Sequence, residues 1–478
     1  MNALHHLSVL GTAALLAGCA SVSPHGLRSD VAALSVSRIT SSAPGALLPA
    51  MAPTERAEAQ RAIEQWLAQP LTEDTAVRIA LLNNPGLERR LAALGIADAE
   101  RVQALTLPNP HLTLGRLTGS HEREIERGLA FGLLDLVTLP WRRERQSERL
   151  QIATLQAAQD TVTLAADTRR AWLHAVAAEQ VSATHGRMVE AAEAGAELAS
   201  RMVRAGNWSR LQQAREHATL QSAQAERARA QLAAATAREA LHRHLGLWGV
   251  AAQQYPLAGA LPALPAQALP ADAIESTALR ERLDVQIARR ELEHQAARQG
   301  WSRIGAVVGD IGIAYNRNTA TDRDTGHRNT VRGWELEMPL PLFDWGGAAQ
   351  ARGQAQLAHD AALLQETAVR ARSEVRTAWL TYRTALDLAR QHQSEVVPLR
   401  QFIAEETTLR YNGMLASVWD LLAEARNSTQ AVIQAIEAQR DFWLAETDLQ
   451  QALTGTSPSG LQGLASSSRA AATTPQGH

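Results

Sequence analysis

Three groups of residues have types and spacing that suggest metal chemistry. His242 and His244 are two residues apart, and side chains at that spacing point to different sides of a helix. The segment from Asp322 to His327 is similar to the start of a calcium loop, but its Gly comes one residue early and Gly333 stands where the closing Glu is needed. His121 precedes a Glu but lacks the second His of a zinc helix. The sequence therefore predicts no metal ligands. We interpret the two histidines as surface residues and both acidic segments as polar hairpin loops.

The motifs of common catalytic and nucleotide-binding sites are also missing from the sequence. The chain contains no Lys, so all 47 of its basic residues are Arg and a P-loop lysine is excluded. We find neither a nucleophile elbow nor a dinucleotide fingerprint. The net charge of −2 argues against a nucleic-acid partner, which favours a strongly basic surface. We therefore expect no catalytic residues, no enzymatic activity, no cofactor and no nucleic-acid binding.

One residue does have the setting for a covalent modification. The single cysteine, Cys19, follows the apolar stretch Leu7–Ala17 and completes a Leu-Ala-Gly-Cys tetrapeptide that is similar to a bacterial lipobox. This pattern predicts that residues 1–18 are a lipoprotein signal peptide and that Cys19 carries the lipid anchor, including palmitate. The alternative is an ordinary secretory signal with an incidental cysteine. Ala20 is not the Asp of an inner-membrane retention signal, which favours the outer membrane.

Composition indicates a chain dominated by long helices. Only 4% of the residues are aromatic, and Ala, Leu, Arg, Glu and Gln dominate. The tract from Trp141 to Arg204 has about 60 residues and is expected to span ~90 Å as a helix. Helices of that length pack side by side, either as a coiled-coil rod or as a curved wall. The helices alone leave both arrangements open.

A twofold internal repeat organises these helices. Asp74, Ala80 and Leu81 recur at one constant offset as Asp272, Ala278 and Leu279. Each copy is expected to contain a helix, a β-hairpin and two long helices. The predicted divisions are a signal peptide (1–18), a lipidated segment (19–70), a first repeat (71–254, with a hairpin at 110–134 and long helices at 141–247), a linker (255–270), a second repeat (271–455, with a hairpin at 304–342 and long helices at 347–453) and a disordered tail (456–478).

The predicted hairpins alternate between apolar and polar residues. In the last strand, Trp334, Leu336 and Met338 share one face. Each strand has about 10 residues, the length that a tilted strand needs to cross hydrocarbon, although a soluble half-buried hairpin shows the same alternation. Four strands cannot close a barrel, so three chains would supply twelve. The acidic residues expected to face a lumen are Glu124, Glu126, Asp310, Glu335 and Glu337.

The chain resembles the TolC-type outer-membrane efflux proteins. The most specific stretch is Arg410–Ala425, which is similar to the family's helix–turn–helix at the periplasmic tip, and Ala205–Leu211 is its first-copy counterpart. The stretch Pro339–Gly347 resembles the family's exit from the last strand into a long helix, with Leu134–Trp141 as a looser first copy. The resemblance covers about residues 72–455.

The resemblance implies a mainly α-helical fold with a membrane β-barrel portion. Three protomers are expected to form a 12-stranded barrel continuous with a helical tunnel. The channel is expected to conduct substrates passively from a periplasmic adaptor and an inner-membrane pump, of the resistance-nodulation-division type, to the exterior. Asp420 matches the first of the family's two aperture carboxylates, and Glu424 lies beside the second position, which is Ala423; Asp420 could instead cap its helix. The residues expected to contact the adaptor are Gly206, Asn207, Trp208, Gly413, Met414 and Leu415.

Other functions account for fewer of these features. A periplasmic adaptor lipoprotein would also carry a lipid anchor and a long helical hairpin, but it should have one hairpin flanked by small β domains. A lipid-anchored coiled coil would not explain the acidic and apolar strand faces. An enzyme is least compatible with the sequence. The first-copy motifs also resemble those of relatives linked to copper and other heavy-metal efflux, so we expect either heavy metals or drugs as cargo.

Overall fold

The computed structural model describes most of the chain. The described residues are 21–23, 26–39, 48–49, 53–106, 109–249, 252, 255–307, 311–338, 343 and 345–458, with backbone only at 133–137 and 299–307. Cys19, Asp310 and residues 459–478 of the predicted tail lie outside these ranges. The protein is mostly helical with one small antiparallel sheet. Among the described residues, no helix combines the length and apolar character that a membrane crossing requires.

Helices and strands alternate along the chain. The elements up to residue 245 are α1 (Arg28–Val36), α2 (Pro53–Leu67), α3 (Glu73–Asn83), α4 (Pro85–Leu105), β1 (His111–Thr118), β2 (Glu122–Gly132), α5 (Leu133–Arg204) and α6 (Arg210–Leu245). The later elements are α7 (Ile274–Glu281), α8 (Leu283–Val307), β3 (Gly312–Asp322), β4 (Arg328–Glu337), α9 (Gly347–Gln391), a π-helical segment (His392–Val396), α10 (Val397–Asn412) and α11 (Val418–Thr454).

Two boundaries differ from the sequence prediction. The second hairpin begins at Gly312, because α8 continues through Val307 over residues predicted to start a strand. Val307 and Ile311 are four residues apart, a spacing that fits one face of a helix as well as the predicted alternation. Helix α5 begins at Leu133, so Pro140 lies inside the helix rather than before it.

Two short helices end in the same way at positions that the repeat predicts to be equivalent. Helix α3 is capped by Asn84, whose backbone N–H donates to the carbonyl of Ala80. Helix α7 is capped by Arg282, whose backbone N–H donates to the carbonyl of Ala278. Ala80 and Ala278 are both fully buried. The two helix corners, at Asn84 between α3 and α4 and at Arg282 between α7 and α8, therefore match in cap geometry and in burial as well as in sequence offset.

The chain divides into two compact units. One comprises Met1–Leu27, Leu91–Gln156 and Gln286–Thr367 and contains the sheet; the other comprises Arg28–Arg90, Ala157–Val285 and Ala368–His478. In the second unit, Trp172 is buried and its indole N–H donates to the carbonyl of Leu71 at 2.9 Å. A second cluster in that unit centres on Tyr382 and Phe442, whose rings lie 5.5 Å apart. Its core is therefore built from contacts between residues far apart in sequence.

All four strands form one antiparallel sheet in the order β1-β2-β3-β4. The central pair joins the two predicted hairpins, with Gly132 opposite Gly312 at one end and Glu122 opposite Asp322 at the other. Strands β1 and β4 each have a single neighbour, so the sheet has two open edges. Because the sheet is not closed, its outer backbone groups remain available for pairing.

Candidate functional site

The first candidate region is a pair of turns between long helices. Helix α5 ends at Arg204, and the chain turns through Gly206, which has a φ of 78°. Ser209 then caps α6 in a reciprocal arrangement with Gln212: the serine side chain accepts from the Gln212 N–H, and the glutamine side chain accepts from the Ser209 N–H. Because such a capping box satisfies otherwise unpaired N–H groups, it fixes where the second helix begins.

The second turn has the same plan. Helix α10 ends at Asn412, and Met414 adopts a φ of 56°, a left-handed conformation that is uncommon for a residue with a side chain. Ser417 caps α11, and its hydroxyl accepts from the Asp420 N–H at 3.2 Å. The Asp420 carboxylate in turn accepts from the Ser417 N–H at 3.0 Å and from its hydroxyl at 2.7 Å. Asp420 therefore caps its helix, one of the two roles that the sequence left open.

The capping interaction also affects the charge of Asp420. Hydrogen bonds from the Ser417 side chain and backbone lower the pKa of the Asp420 carboxyl, which is exposed. The carboxylate is therefore ionised at neutral pH. Capping and a charged, solvent-facing position are compatible in the same residue, so the structure leaves an aperture role available to Asp420.

Glu424, the second predicted aperture residue, is engaged within its own chain. Its side chain is only 14% exposed and lies 3.4 Å from the guanidinium of Arg400. The Asn427 side chain donates to its other oxygen at 3.2 Å. Glu424 is therefore an ion-paired residue next to the turn. The partner Arg400 lies on the preceding helix, a contact that spacing alone does not predict.

The predicted adaptor-contacting residues fall into two environments. Met414 and Leu415 are 94% and 82% exposed, which leaves two apolar side chains in solvent at one turn. Trp208, also expected to contact the adaptor, is half-buried and stacks on Trp419, with ring centroids 3.8 Å apart and planes inclined by 29°. The tryptophan stack thus joins the two turns, while Met414 and Leu415 present the open apolar surface.

We expect the tryptophan stack to couple the two turns energetically. Trp208→Ala and Trp419→Ala should each destabilise the protein, but together they should cost less than the sum because they remove the same contact. The predicted coupling is about 0.5–1.5 kcal/mol, typical of aromatic pairs. Denaturation of both single variants and the double variant measures it. Strictly additive losses would show that each ring packs independently of the other.

The second candidate region is the sheet, whose register separates its residues into two faces. Residues directly opposite one another in neighbouring strands lie on the same face, and alternate residues change face. Gly115 pairs with Glu126, and Ala314 pairs with Glu335, which places these acids on one side. The Asn316 side chain donates to Glu335 at 2.8 Å on that side. Of the acids predicted to share a face, the described ones that do so are Glu124, Glu126, Glu335 and Glu337.

The hairpin loops and the histidine pair show no metal geometry. His121 lies 2.8 Å from the carboxylate of Asp324, so the loops of the two hairpins contact each other. His242, for which a surface position was the sequence interpretation, is instead buried with its ring 5.6 Å from that of Tyr255. Within the described ranges, no group of three or more His, Cys, Asp or Glu is arranged to hold a metal ion.

Comparison with known proteins gives one curated relative. The chain is 28% identical over 307 residues to the cobalt-zinc-cadmium resistance protein CzcC of Cupriavidus metallidurans, an alignment that covers 61% of this chain and 69% of the relative. No model of a known protein family matches the chain.

Solved structures resemble the fold over most of its length. CusC, a protein that forms a transmembrane channel, superposes with a TM-score of 0.64 at 18% identity, covering 87% of this chain and all of CusC. The CmeC outer membrane channel of Campylobacter jejuni superposes with a TM-score of 0.63 at 15% identity, covering 90% of this chain and 94% of CmeC. The fold is that of the outer-membrane factor channels. The resemblance to the TolC-type proteins that the sequence indicated is confirmed at this level.

Proposed function

We propose that this protein is the outer-membrane channel of a tripartite efflux system. It would conduct substrates passively from a periplasmic adaptor and an inner-membrane pump to the cell exterior. The observation that carries the proposal is a channel-type fold combined with a sheet whose two faces differ in chemistry. One face is acidic, and the other is apolar at the end of the sheet that contains Phe131. Such faces suit a lumen and a lipid environment respectively.

The open edges of the sheet support assembly into a trimer. Unpaired backbone groups are costly in hydrocarbon, so β1 and β4 require neighbours if the sheet enters a membrane. Pairing β4 of one protomer with β1 of the next would close a barrel of twelve strands from three copies. Cys19, outside the described residues, would add a lipid anchor in the outer membrane.

The matched helix corners at Asn84 and Arg282 support the proposed twofold repeat. We assign the first copy to residues 71–254 and the second to 271–455, joined by the linker 255–270. With two such copies in each of three chains, the long helices would form a tunnel of six similar segments. The turns at residues 205–209 and 413–417 would then lie together at one end of the tunnel and face the adaptor.

For the cargo, we propose heavy-metal cations. The curated relative is named for resistance to cobalt, zinc and cadmium. The acidic sheet face and the ionised Asp420 would favour cations along a conducting path. In such a system the pump would be of the resistance-nodulation-division type and would choose the substrate. The channel would add only a preference for positive charge.

The test is single-channel conductance in a planar bilayer with three forms of the protein. Wild type should give discrete, cation-preferring steps. Asp420→Asn keeps an oxygen that can accept the Ser417 N–H but removes the charge, so we expect higher resting conductance and a cation preference at least about threefold lower, the effect of a single carboxylate. A carboxylate ~6 Å from an ion contributes roughly 0.7 kcal/mol in water, and a trimer would present three. Ser417→Ala keeps the charge and removes the cap.

Ser417→Ala is the matched control, because the aperture role of Asp420 depends on its charge and the capping role does not. It should retain the wild-type cation preference. If Asp420→Asn and Ser417→Ala change conductance equally, Asp420 acts as a cap alone. If folded protein stays silent in all three forms, the channel proposal is wrong.

A further inference from the structure

The charges of the sheet are fully segregated between its faces. Every Asp and Glu in the four strands lies on the face that contains Glu126, and every strand Arg lies on the opposite face with Trp334. The acids are Glu122, Glu124, Glu126, Asp322, Glu335 and Glu337. The basic residues are Arg116, Arg123, Arg127, Arg317, Arg328 and Arg332. The Arg face lies opposite the proposed lumen, so it has no role in conduction. Its charge requires a binding partner other than the conducted substrate.

Three of these arginines form a continuous row across the sheet. Arg127 pairs directly with Arg317, and Arg317 pairs directly with Arg332. Neighbouring strands lie ~4.8 Å apart, so the three side chains start within about 10 Å of one another. All three are exposed, and within the described residues none of them forms an ion pair. Like charges directly opposite one another destabilise a sheet, so the row favours a bound anion.

The row lies at a boundary between apolar and basic residues on the same face. The next row toward the end of the sheet that contains Gly132 includes Tyr315 and Trp334, which pair directly with ring centroids 5.1 Å apart. Beyond them, Phe131, Ile313 and Leu336 form an apolar row. On the other side of the Arg row, the remaining basic residues alternate with Ile125 and threonines. An aromatic row beside a basic row is the arrangement expected where hydrocarbon meets lipid headgroups.

We propose that the row Arg127, Arg317 and Arg332 is a binding site for the phosphate groups of anionic membrane lipids. This inference rests on the proposed membrane insertion of the sheet. A guanidinium can donate two parallel hydrogen bonds to a phosphate, and three in a row can hold adjacent phosphates. The apolar and aromatic rows next to them would hold the acyl chains of the same lipids, which favours a lipid over a free anion.

The energetic argument agrees with this position. An Arg on the lipid face of a barrel costs about 2–4 kcal/mol at the bilayer midplane and roughly 0–1 kcal/mol near the interface. Three adjacent arginines are therefore tolerable only at headgroup level, where phosphates neutralise them. The site fixes the depth of the sheet in the membrane as well as selecting lipids.

The test uses Trp334 as a reporter, since it is 74% exposed and lies one row from the arginines. Full-length protein is inserted into vesicles of equal parts phosphatidylcholine and phosphatidylglycerol, with bromine on the acyl chains of one lipid at a time. The difference between each protein and its Trp334→Phe form isolates quenching at Trp334. We expect brominated phosphatidylglycerol to be enriched about threefold or more around wild-type Trp334, and the enrichment to shrink with added salt.

The variant Arg127→Gln, Arg317→Gln, Arg332→Gln should bring the enrichment to about one, whereas the corresponding triple Lys variant should retain most of it. The matched control removes three exposed helical charges, Arg215→Gln, Arg227→Gln and Arg372→Gln, and should behave as wild type.

The outcomes separate this inference from the proposed function. If neither lipid quenches Trp334, the sheet is outside the bilayer and the channel proposal fails with it. If both lipids quench Trp334 equally in wild type, the sheet is inserted but the lipid site is wrong. Displacement of phosphatidylglycerol by inorganic phosphate at constant ionic strength would instead identify a site for free phosphate. That result would overturn the lipid assignment.

Discussion

Arg282→Ala is expected to lower the free energy of unfolding by about 3–5 kcal/mol, the usual cost of removing one partner from a buried ion pair. The Arg282 side chain is 0% exposed and lies at the C-cap of helix α7. Its guanidinium donates to Asp284 at 2.6 Å and to Glu374 at 2.9 Å. Burial lowers the pKa of this guanidinium. Its hydrogen bonds to the two carboxylates and their negative charges more than offset that effect, so the pKa of Arg282 is raised. Alanine would leave both carboxylates poorly hydrated and without their cation.

The reason for so large an effect is the number of segments that meet at this residue. Arg282 joins the corner between α7 and α8 to helix α9 through Glu374. It also contacts the carbonyl of Ala452 at 3.5 Å, close to the end of α11, and the hydroxyl of Ser457 at 3.4 Å.

Denaturation of the detergent-solubilised protein measures the effect, with Arg372→Ala as the control. Arg372 is an exposed residue of α9, so its loss should change the free energy of unfolding by less than about 0.5 kcal/mol. Adding Asp284→Asn and Glu374→Gln to Arg282→Ala should recover part of the loss, because neutral side chains need no cation. Equal stability of Arg282→Ala and Arg372→Ala would mean that the network contributes nothing.

Features that depend on local chemistry were predictable from the sequence. A glycine followed by a serine three or four residues later is present at both helical turns, and a cap hydrogen bond involves only neighbouring residues. The start of the second hairpin was not predictable, since the four-residue spacing of Val307 and Ile311 fits either a helix or a strand.

Contacts between distant residues required the structure. Nothing in the sequence pairs Trp208 with Trp419, and their stack leaves Trp208 half-buried. Similarly, Arg127 interrupts an apolar face when its strand is considered alone. Only the register shows that Arg317 and Arg332 lie beside it, so that the three arginines form a row. Register is set by the pairing between strands, so the sequence of a single strand does not determine it.

The second large effect is expected at Gly246, where the chain leaves helix α6. Gly246 has a φ of 67°, and a Cβ built there would lie 2.5 Å from the backbone oxygen of Asn83. The Asn83 side chain donates to the carbonyls of Leu245 and Gly246, each at 3.0 Å, and the Asn84 side chain donates to that of His244 at 2.8 Å. These bonds satisfy carbonyls at the end of α6, and a displaced Asn83 would break them.

Gly246→Ala should therefore cost about 3 kcal/mol, from roughly 1 kcal/mol of left-handed backbone strain and about 1 kcal/mol for each of the two hydrogen bonds lost from the Asn83 side chain. Gly249→Ala is a close control, because Gly249 has a φ of 64° but no atom within 4 Å of its Cβ position. It carries the same backbone strain without the collision, so its expected cost is about 1 kcal/mol. Denaturation of both variants separates the two contributions. Equal losses would assign the whole effect to backbone strain and leave the asparagine contacts without a role in stability.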